Sequence, residues 1–217
     1  MIKHHILEEE YVQQVYDNIA DNFSKTRYKV WETVAVFLDQ IPSSSLVLDA
    51  GCGNGKNILY RSDLDFIGID KCSKFVEICC DRGLNAKKGC ITELSFKDNY
   101  FDSVICIAVI HHLETSQRRL QAIMELIRVT KKNGKIFISL WTSVEESIQA
   151  TSNECKNLQN TNDFLIPWKI KNGPKYFRYY HLTDSIELEE IIKKLSPFVT
   201  IEVEEKYGNF FLTLQKK

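Results

Sequence analysis

A chain of 217 residues, 44% of them hydrophobic, is long enough to bury one sizeable core, so a single domain over 1–217 is expected. Its 28 Lys and Arg against 29 Asp and Glu leave a net charge of −1. That balance excludes recognition of nucleic acid or a membrane surface by bulk charge and confines any such contact to a local patch. No run approaches the ~18 apolar residues of a membrane span, and the opening "MIKHHILEEEYVQQ" turns acidic at once, unlike a signal peptide. The seven cysteines (52, 72, 79, 80, 90, 106 and 155) are odd in number and include no C-x-x-C pair. They read as reduced thiols of a cytoplasmic or nuclear protein, not as a disulfide framework or zinc site, and no metal is expected.

In chain order, helical spacing of Val12, Val15, Tyr16 and Ile19, then of Val30, Val34, Phe37 and Leu38, predicts helices over 8–22 and 30–40. After the "IPSSS" break, strands are predicted at 46–50, 66–70, 85–91, 101–110 and 134–141, with helices between them at 56–62, 73–82 and 116–130. This alternation predicts a parallel sheet with helices on both faces. Continuous apolar runs such as "VICIAVI" suit strands buried on both sides. A helix at 184–195 follows, and then "VTIEVEEKYGNFFLTLQ", a hairpin turning at Gly208-Asn209. Residues 142–183 read as one long irregular insertion, and no internal repeat is present.

The stretch "LVLDAGCGNGKN" places a glycine-rich loop directly after the first strand. A phosphate-binding loop is excluded twice, because Ala50 stands where its first glycine belongs and Asn57 where its hydroxyl residue belongs. A dinucleotide fingerprint is spoiled by Lys56 in place of the third glycine. What remains is Asp49, then G-x-G-x-G, then a helix and a second strand ending in Asp70.

That pattern resembles motif I of the class I S-adenosylmethionine (SAM)-dependent methyltransferases. The resemblance implies a Rossmann-like, mostly parallel seven-stranded α/β sheet with helices on both faces and a C-terminal antiparallel hairpin. It also implies SAM as methyl donor, with S-adenosylhomocysteine as product. The residues it points to are Asp49, Ala50, Gly51, Cys52, Gly53, Asn54 and Gly55 of the loop, then Asp70 and Lys71 after the second strand. Asp49 suits the amino-acid end of a zwitterionic ligand, and Asp70 can accept both ribose hydroxyls. Cys90 and Ile91 fall where the superfamily holds adenine; Cys90 replaces the usual acid there and Ser95 departs further along. Ile107, Ala108 and Val109 fall where the methionine moiety and its methyl are lined.

A narrower resemblance rests on "NFSKTRYKVW" (22–31), "IAVIHHL" (107–113) with "SQRRLQAIMELIRV", "DFLIPWK" (163–169) and "KYFRYYHL" (175–182). Together, over about residues 8–215, these resemble the eukaryotic wobble-uridine tRNA carboxymethyl methyltransferases, relatives of the methyltransferase part of the AlkB-type tRNA oxygenase. The likeness implies methyl transfer to the carboxylate of 5-carboxymethyluridine in the anticodon loop. It also implies a small zinc-binding methyltransferase activator as partner, for which an apolar edge at the third strand, "NAKKGCI", offers a docking site.

Two acid-free segments agree with an RNA substrate. Residues 22–31 carry Lys25, Arg27 and Lys29 with Trp31, and residues 164–183 carry Lys169, Lys171, Lys175 and Arg178. Among the latter lie Trp168, Tyr176, Phe177, Tyr179, Tyr180 and His181, and cations plus flat rings are what single-stranded RNA requires. Trp141, ending the fifth strand, is a further candidate wall for the uridine. A carboxylate with a pKa of ~4 is ionised at pH 7 and needs no general base. Catalysis then reduces to holding it in line, about 3 Å from the methyl. Arg27 and Arg178 are the candidate grips, with Tyr28, His111 and His112 shaping the pocket. Two other readings stay open: a class I methyltransferase for another tRNA site or small molecule, and a SAM-binding subunit without activity.

Overall fold

The structure, a computed structural model, describes residues 6–142, 154–159 and 161–217. Its strands are β1 (Leu46–Ala50), β2 (Asp65–Asp70), β3 (Ala86–Lys88), β4 (Phe101–Cys106), β5 (Thr130–Trp141), β6 (Lys156–Asn157), β7 (Asp163–Lys169), β8 (Lys175–His181), β9 (Val199–Lys206) and β10 (Asn209–Lys216). Seven of them form one sheet in the order β3-β2-β1-β4-β5-β10-β9. β1 to β5 pair in parallel, and β10 runs antiparallel to both β5 and β9. The expected mostly parallel sheet with a C-terminal hairpin is therefore present. No helix among the described residues is long and apolar enough to cross a membrane, and all seven cysteines are free.

Alternation along each strand divides the apolar residues between two cores, as a side-chain period of two requires. Leu48, Val104, Ile136, Ile138 and Leu212 pack on one face against α4 (Ser116–Val129) and α5 (Ser185–Leu195). Their neighbours Val47, Ile105, Phe137 and Phe211 pack on the other, against α2 (Glu32–Asp39) and Cys79 of α3 (Ser73–Asp81). Each helix covers only part of one face, so both cores are needed to bury the sheet. Thr115 and Asp184 cap α4 and α5 by accepting the backbone N–H three residues on.

The N-terminal helix α1 (Gln14–Thr26) continues from a π segment, Glu9–Gln13, and lies across the sheet's C-terminal edge. Val15 and Ile19 pack on Trp168 of β7, while Ala20 packs on Cys72 and Phe75. α1 thereby bridges the main sheet to a small antiparallel one, β6-β7-β8.

Four expectations are corrected. The helix at 56–62 reduces to one 3-10 turn, Ile58–Tyr60. The strand at 101–110 stops at Cys106, because Ala108 adopts a left-handed φ of 59° that no strand continues through. Within 142–183, residues 163–181 form the β7–β8 hairpin instead of an irregular loop; 143–153 and 160 lie outside the described residues. The third strand does sit at the sheet edge, yet it is three residues long and bears Lys87 and Lys88. A short lysine-bearing edge resists chance pairing, where an apolar one would invite it.

Candidate active site

A cavity of about 740 Å³ opens where β1, β2, β4 and β5 end, beneath α1 and beside the β7–β8 hairpin. Its place is the switch point of the sheet, since the chain leaves β1 toward β2 on one side and returns to β4 on the other. The volume lies within the range of small-molecule sites.

The glycine loop forms the floor. Gly51 holds φ at +84°, and a Cβ there would lie 2.3 Å from Cγ2 of Val109, so only glycine fits between β1 and the loop after β4. Gly53 also has a positive φ, +51°, with open space where a Cβ would stand. Its N–H is turned inward and donates to Asp70 Oδ2 at 2.8 Å, while the Cys72 N–H donates to Oδ1 at 2.9 Å. These two bonds fix the carboxylate plane of Asp70 and leave each oxygen a second lone pair toward the cavity. Burial pushes Asp70 up to about 6.

Asp49 sits beneath the loop, fully buried, with Oδ2 accepting from Asn57 Nδ2 at 3.4 Å and Oδ1 without a partner. Burial raises it to about 7. Burial also lowers the nearby Lys56 ammonium, whose Nζ lies 5.2 Å from the Trp31 ring. An acid so placed gains if a ligand brings a cation to it.

On the opposite wall stands Arg178, 7% exposed. Its guanidinium lies 4.9 Å from the Trp168 ring and 5.1 Å from that of Tyr180. Nη1 donates to the Tyr16 hydroxyl at 3.4 Å, Nε has no partner, and no carboxylate of the described residues pairs with this cation. Tyr16 in turn meets His112 Nε2 at 3.0 Å, and His112 Nδ1 meets the Tyr179 carbonyl at 2.7 Å. A carbonyl can only accept, so Nδ1 carries the proton and Nε2 accepts from the tyrosine. Burial holds His112 down at about 3, so the ring is neutral and its tautomer fixed. The chain Arg178–Tyr16–His112–Tyr179 therefore orients a buried cation without neutralising it.

Residues 48–138 match the Methyltransferase domain family. The tRNA (carboxymethyluridine(34)-5-O)-methyltransferase of Schizosaccharomyces pombe is 35% identical over 205 residues, covering 86% of this chain and 88% of that one. The chain belongs to this methyltransferase family. The Xenopus tropicalis relative is 33% identical over 259 residues that include 97% of this chain, which spans only 41% of that protein's length. Among solved structures, the DhpI–SAM–HEP complex is 15% identical at a TM-score of 0.69, covering 98% of this chain and 99% of that one. The complex of the Haloferax volcanii Trm112 methyltransferase activator with a methyltransferase is 14% identical at 0.66, covering 94% and 97%. Both show the fold.

Of the residues expected from sequence, the fold brings Gly51, Cys52, Gly53, Asn54, Asp70, Lys71, Cys90, Ile91, Ile107, Ala108 and Val109 to the cavity wall. Arg27, Trp31, His112, Trp141, Trp168, Lys169, Arg178 and Tyr180 line it as well, with Lys171. Asp49, Ala50 and Gly55 lie outside that wall; Asp49 and Ala50 are wholly buried, and a Cβ on Gly55 would meet Leu84 at 2.4 Å.

Several expected contacts are corrected. Tyr28 is 67% exposed and outside the cavity, as are the exposed Lys25 and Lys29. His111 is buried in a stack, its ring 4.6 Å from that of Tyr180 and both nitrogens unpartnered. Burial pushes its pKa well below the usual value, so it is a neutral packing group. Tyr179 and His181 face away from the cavity because alternate residues of β8 point to opposite sides. The Tyr179 hydroxyl donates to Asp163, and the His181 ring is clamped between Asp163 at 2.7 Å and Glu187 at 2.5 Å. Lys175 and Lys169 both pair with Glu154, so the acid-free segment is partly neutralised from elsewhere in the chain.

Tyr16, Phe23, Lys56, Asn57, Cys72 and Phe75 also line the cavity and were not expected there. Tyr16 carried a signal only as an apolar position of a helix. Lys56 stood in the quoted loop and counted solely against other loop types.

Proposed function

We propose that this chain transfers a methyl group from SAM to the carboxylate of 5-carboxymethyluridine at the wobble position of tRNA, giving the methyl ester. The observation that carries the acceptor is Arg178, a buried guanidinium with no anionic partner among the described residues, in the wall of the cavity that the glycine loop floors. Such a cation is costly to bury alone and matches a planar carboxylate in two parallel hydrogen bonds.

The residues present fit SAM. Asp70 has lone pairs for two ribose hydroxyls, Ile91 and Cys90 offer an apolar edge for adenine, and the charge of Asp49, buried beneath the loop and outside the cavity wall, favours an ammonium above the loop without contact. When bound, SAM supplies an electrophilic methyl on a positively charged sulfur. The chain's own part is to bind, orient and desolvate. Arg178, held by Tyr16, grips the acceptor carboxylate, while Trp168, Tyr180 and Trp141 exclude water around it. Arg27, exposed at the mouth with its guanidinium 5.1 Å from the Trp168 ring, faces the incoming phosphate backbone. No proton is removed from the nucleophile, so the neutral His112 serves by holding Tyr16.

Labelled SAM incubated with bulk tRNA, followed by nucleoside analysis, tests this reading. Label is expected in the methyl ester of wobble carboxymethyluridine. Label confined to protein, a small molecule or another tRNA position would overturn it. A small activator protein fits as partner, as the Haloferax volcanii complex pairs an activator with a methyltransferase of this fold. The outer edge of β3 is exposed, and since its two lysines discourage chance pairing, a partner strand adding there would need acidic side chains to meet them.

The acids also set a pH dependence. In the free protein Asp49 and Asp70, at about 7 and 6 through burial, take up protons as pH falls, whereas ribose and ammonium recognition needs both ionised. SAM affinity is expected to weaken about tenfold or more between pH 7.5 and 5.5. Stability of the free protein shifts the opposite way. The folded acids hold protons that the unfolded chain has released, so stability falls as pH rises from about 4 to 7. Calorimetric titration across this window checks it, with Asp49→Asn flattening the upper part. A pH-independent affinity would remove these carboxylates from cofactor binding.

A further inference from the structure

Beside the main cavity lies a recess of about 320 Å³ walled by Trp31, Trp141, Tyr207 and Phe211, with Glu32, Thr33 and Asn209 completing it. Trp31 and Trp141 line both spaces, so the recess and the cavity share a wall. We propose that this recess is a second nucleobase subsite, which takes the base of the nucleotide adjacent to the one that is methylated. It rests on the RNA-substrate reading above and deepens it.

Three features point to a flat heterocycle with a polar edge. First, Trp141 Nε1, Asn209 Oδ1 and Thr33 Oγ1 are all buried and have no partner among the described residues. Asn209 is 5% exposed and Thr33 9%. Native structures rarely leave such groups unpaired unless something else satisfies them. Second, Trp141 and Asn209 are register partners across β5 and β10, so their side chains stand next to each other on one face. An indole N–H beside an amide oxygen offers one donor and one acceptor. That is the complement of the donor-beside-acceptor edge of a nucleobase, and the aromatic walls supply the stacking faces.

Third, the hairpin tip is strained in a way that packing does not need. Tyr207 and Gly208 both have positive φ, +52° and +66°, the backbone of a two-residue turn that favours Asn-Gly. A tyrosine in that conformation costs stability, and here its ring is 61% exposed, so core burial does not offset the cost. The ring instead lines the recess, where Lys206 Nζ lies 4.9 Å from its centre and 4.0 Å from the Glu32 carboxylate, so the rim carries a paired cation and anion.

The test compares 5-carboxymethyluridine 5′-monophosphate with a trinucleotide carrying the same residue at its centre. Two further trinucleotides lack the 5′ or the 3′ base. The wild-type chain is expected to favour the full trinucleotide over the monophosphate about tenfold, mainly through KM. One of the two abasic trinucleotides should lose that gain and so identify the neighbour. Tyr207→Gly is expected to lose it too, while transfer to the monophosphate and thermal stability stay the same or improve, because glycine relieves the turn. Asn209→Leu should raise the trinucleotide KM in the same direction. The proposal is overturned if Tyr207→Gly leaves the trinucleotide KM within twofold of wild type, or if it slows both substrates equally. Should the wild-type chain methylate none of them, the acceptor reading fails. The recess is then decided by tryptophan quenching with an unmodified trinucleotide: quenching lost in Tyr207→Gly supports it, and unchanged or absent quenching overturns it.

Discussion

Arg178→Ala is expected to lower kcat/KM for the carboxymethyluridine substrate by about 10³-fold while SAM affinity stays within about threefold. Removing one partner of a desolvated charge pair costs roughly 2–5 kcal/mol, and each 1.4 kcal/mol is a factor of ten. The buried site of Arg178, between Trp168 and Tyr180, places it at the upper end of that range. The free protein should lose no stability, since a buried cation with no anionic partner among the described residues is a burden to the fold. Arg178→Lys keeps the charge but not the planar fork, so activity should recover only in part. Steady-state kinetics, SAM titration and thermal melting together decide the case. Activity within tenfold of wild type, or an equal loss of SAM affinity, would move the acceptor site elsewhere.

Asp70→Ala is expected to weaken SAM binding at least about 100-fold. The carboxylate accepts from the Gly53 and Cys72 N–H groups and presents its remaining lone pairs to the cavity. Its loss removes the ribose acceptors and also frees the loop that carries Gly53. Hydrogen bonds to a charged group contribute about 1.5–3 kcal/mol each, so two of them suffice for the predicted loss. Asp70→Asn, which keeps one acceptor oxygen, should fall between. Titration calorimetry measures both, and SAM affinity within tenfold of wild type for Asp70→Ala would show that the cofactor is held by other groups.

Much of the fold was legible because its strands are buried on both faces. β1 came out at its predicted bounds, and α4 and α5 within one residue of theirs. The glycine loop was legible from local chemistry, since a positive φ at Gly51 and Gly53 and the acid at Asp70 all belong to one unit of strand, loop with a 3-10 turn, and strand. The β7–β8 hairpin was not. Its residues read as a run of cations and rings, and only pairing in register reveals that Tyr176, Arg178 and Tyr180 share one face and Tyr179 and His181 the other.

The same reason limits what could be said of the acceptor site. Composition placed Arg178 among several cations. Its distinction comes from Tyr16, 162 positions away, and from His112, 96 positions from Tyr16. Likewise Lys169 and Lys175 looked free until Glu154 was placed beside them. By itself the sequence determined the strands and the glycine loop, because an apolar run and a strand-to-turn signal are read from neighbours within a few residues. Only the tertiary structure decided which buried cation has no anionic partner among the described residues, which histidine is locked and which ring meets the recess. Those properties are sums over residues that the chain separates and the fold brings together.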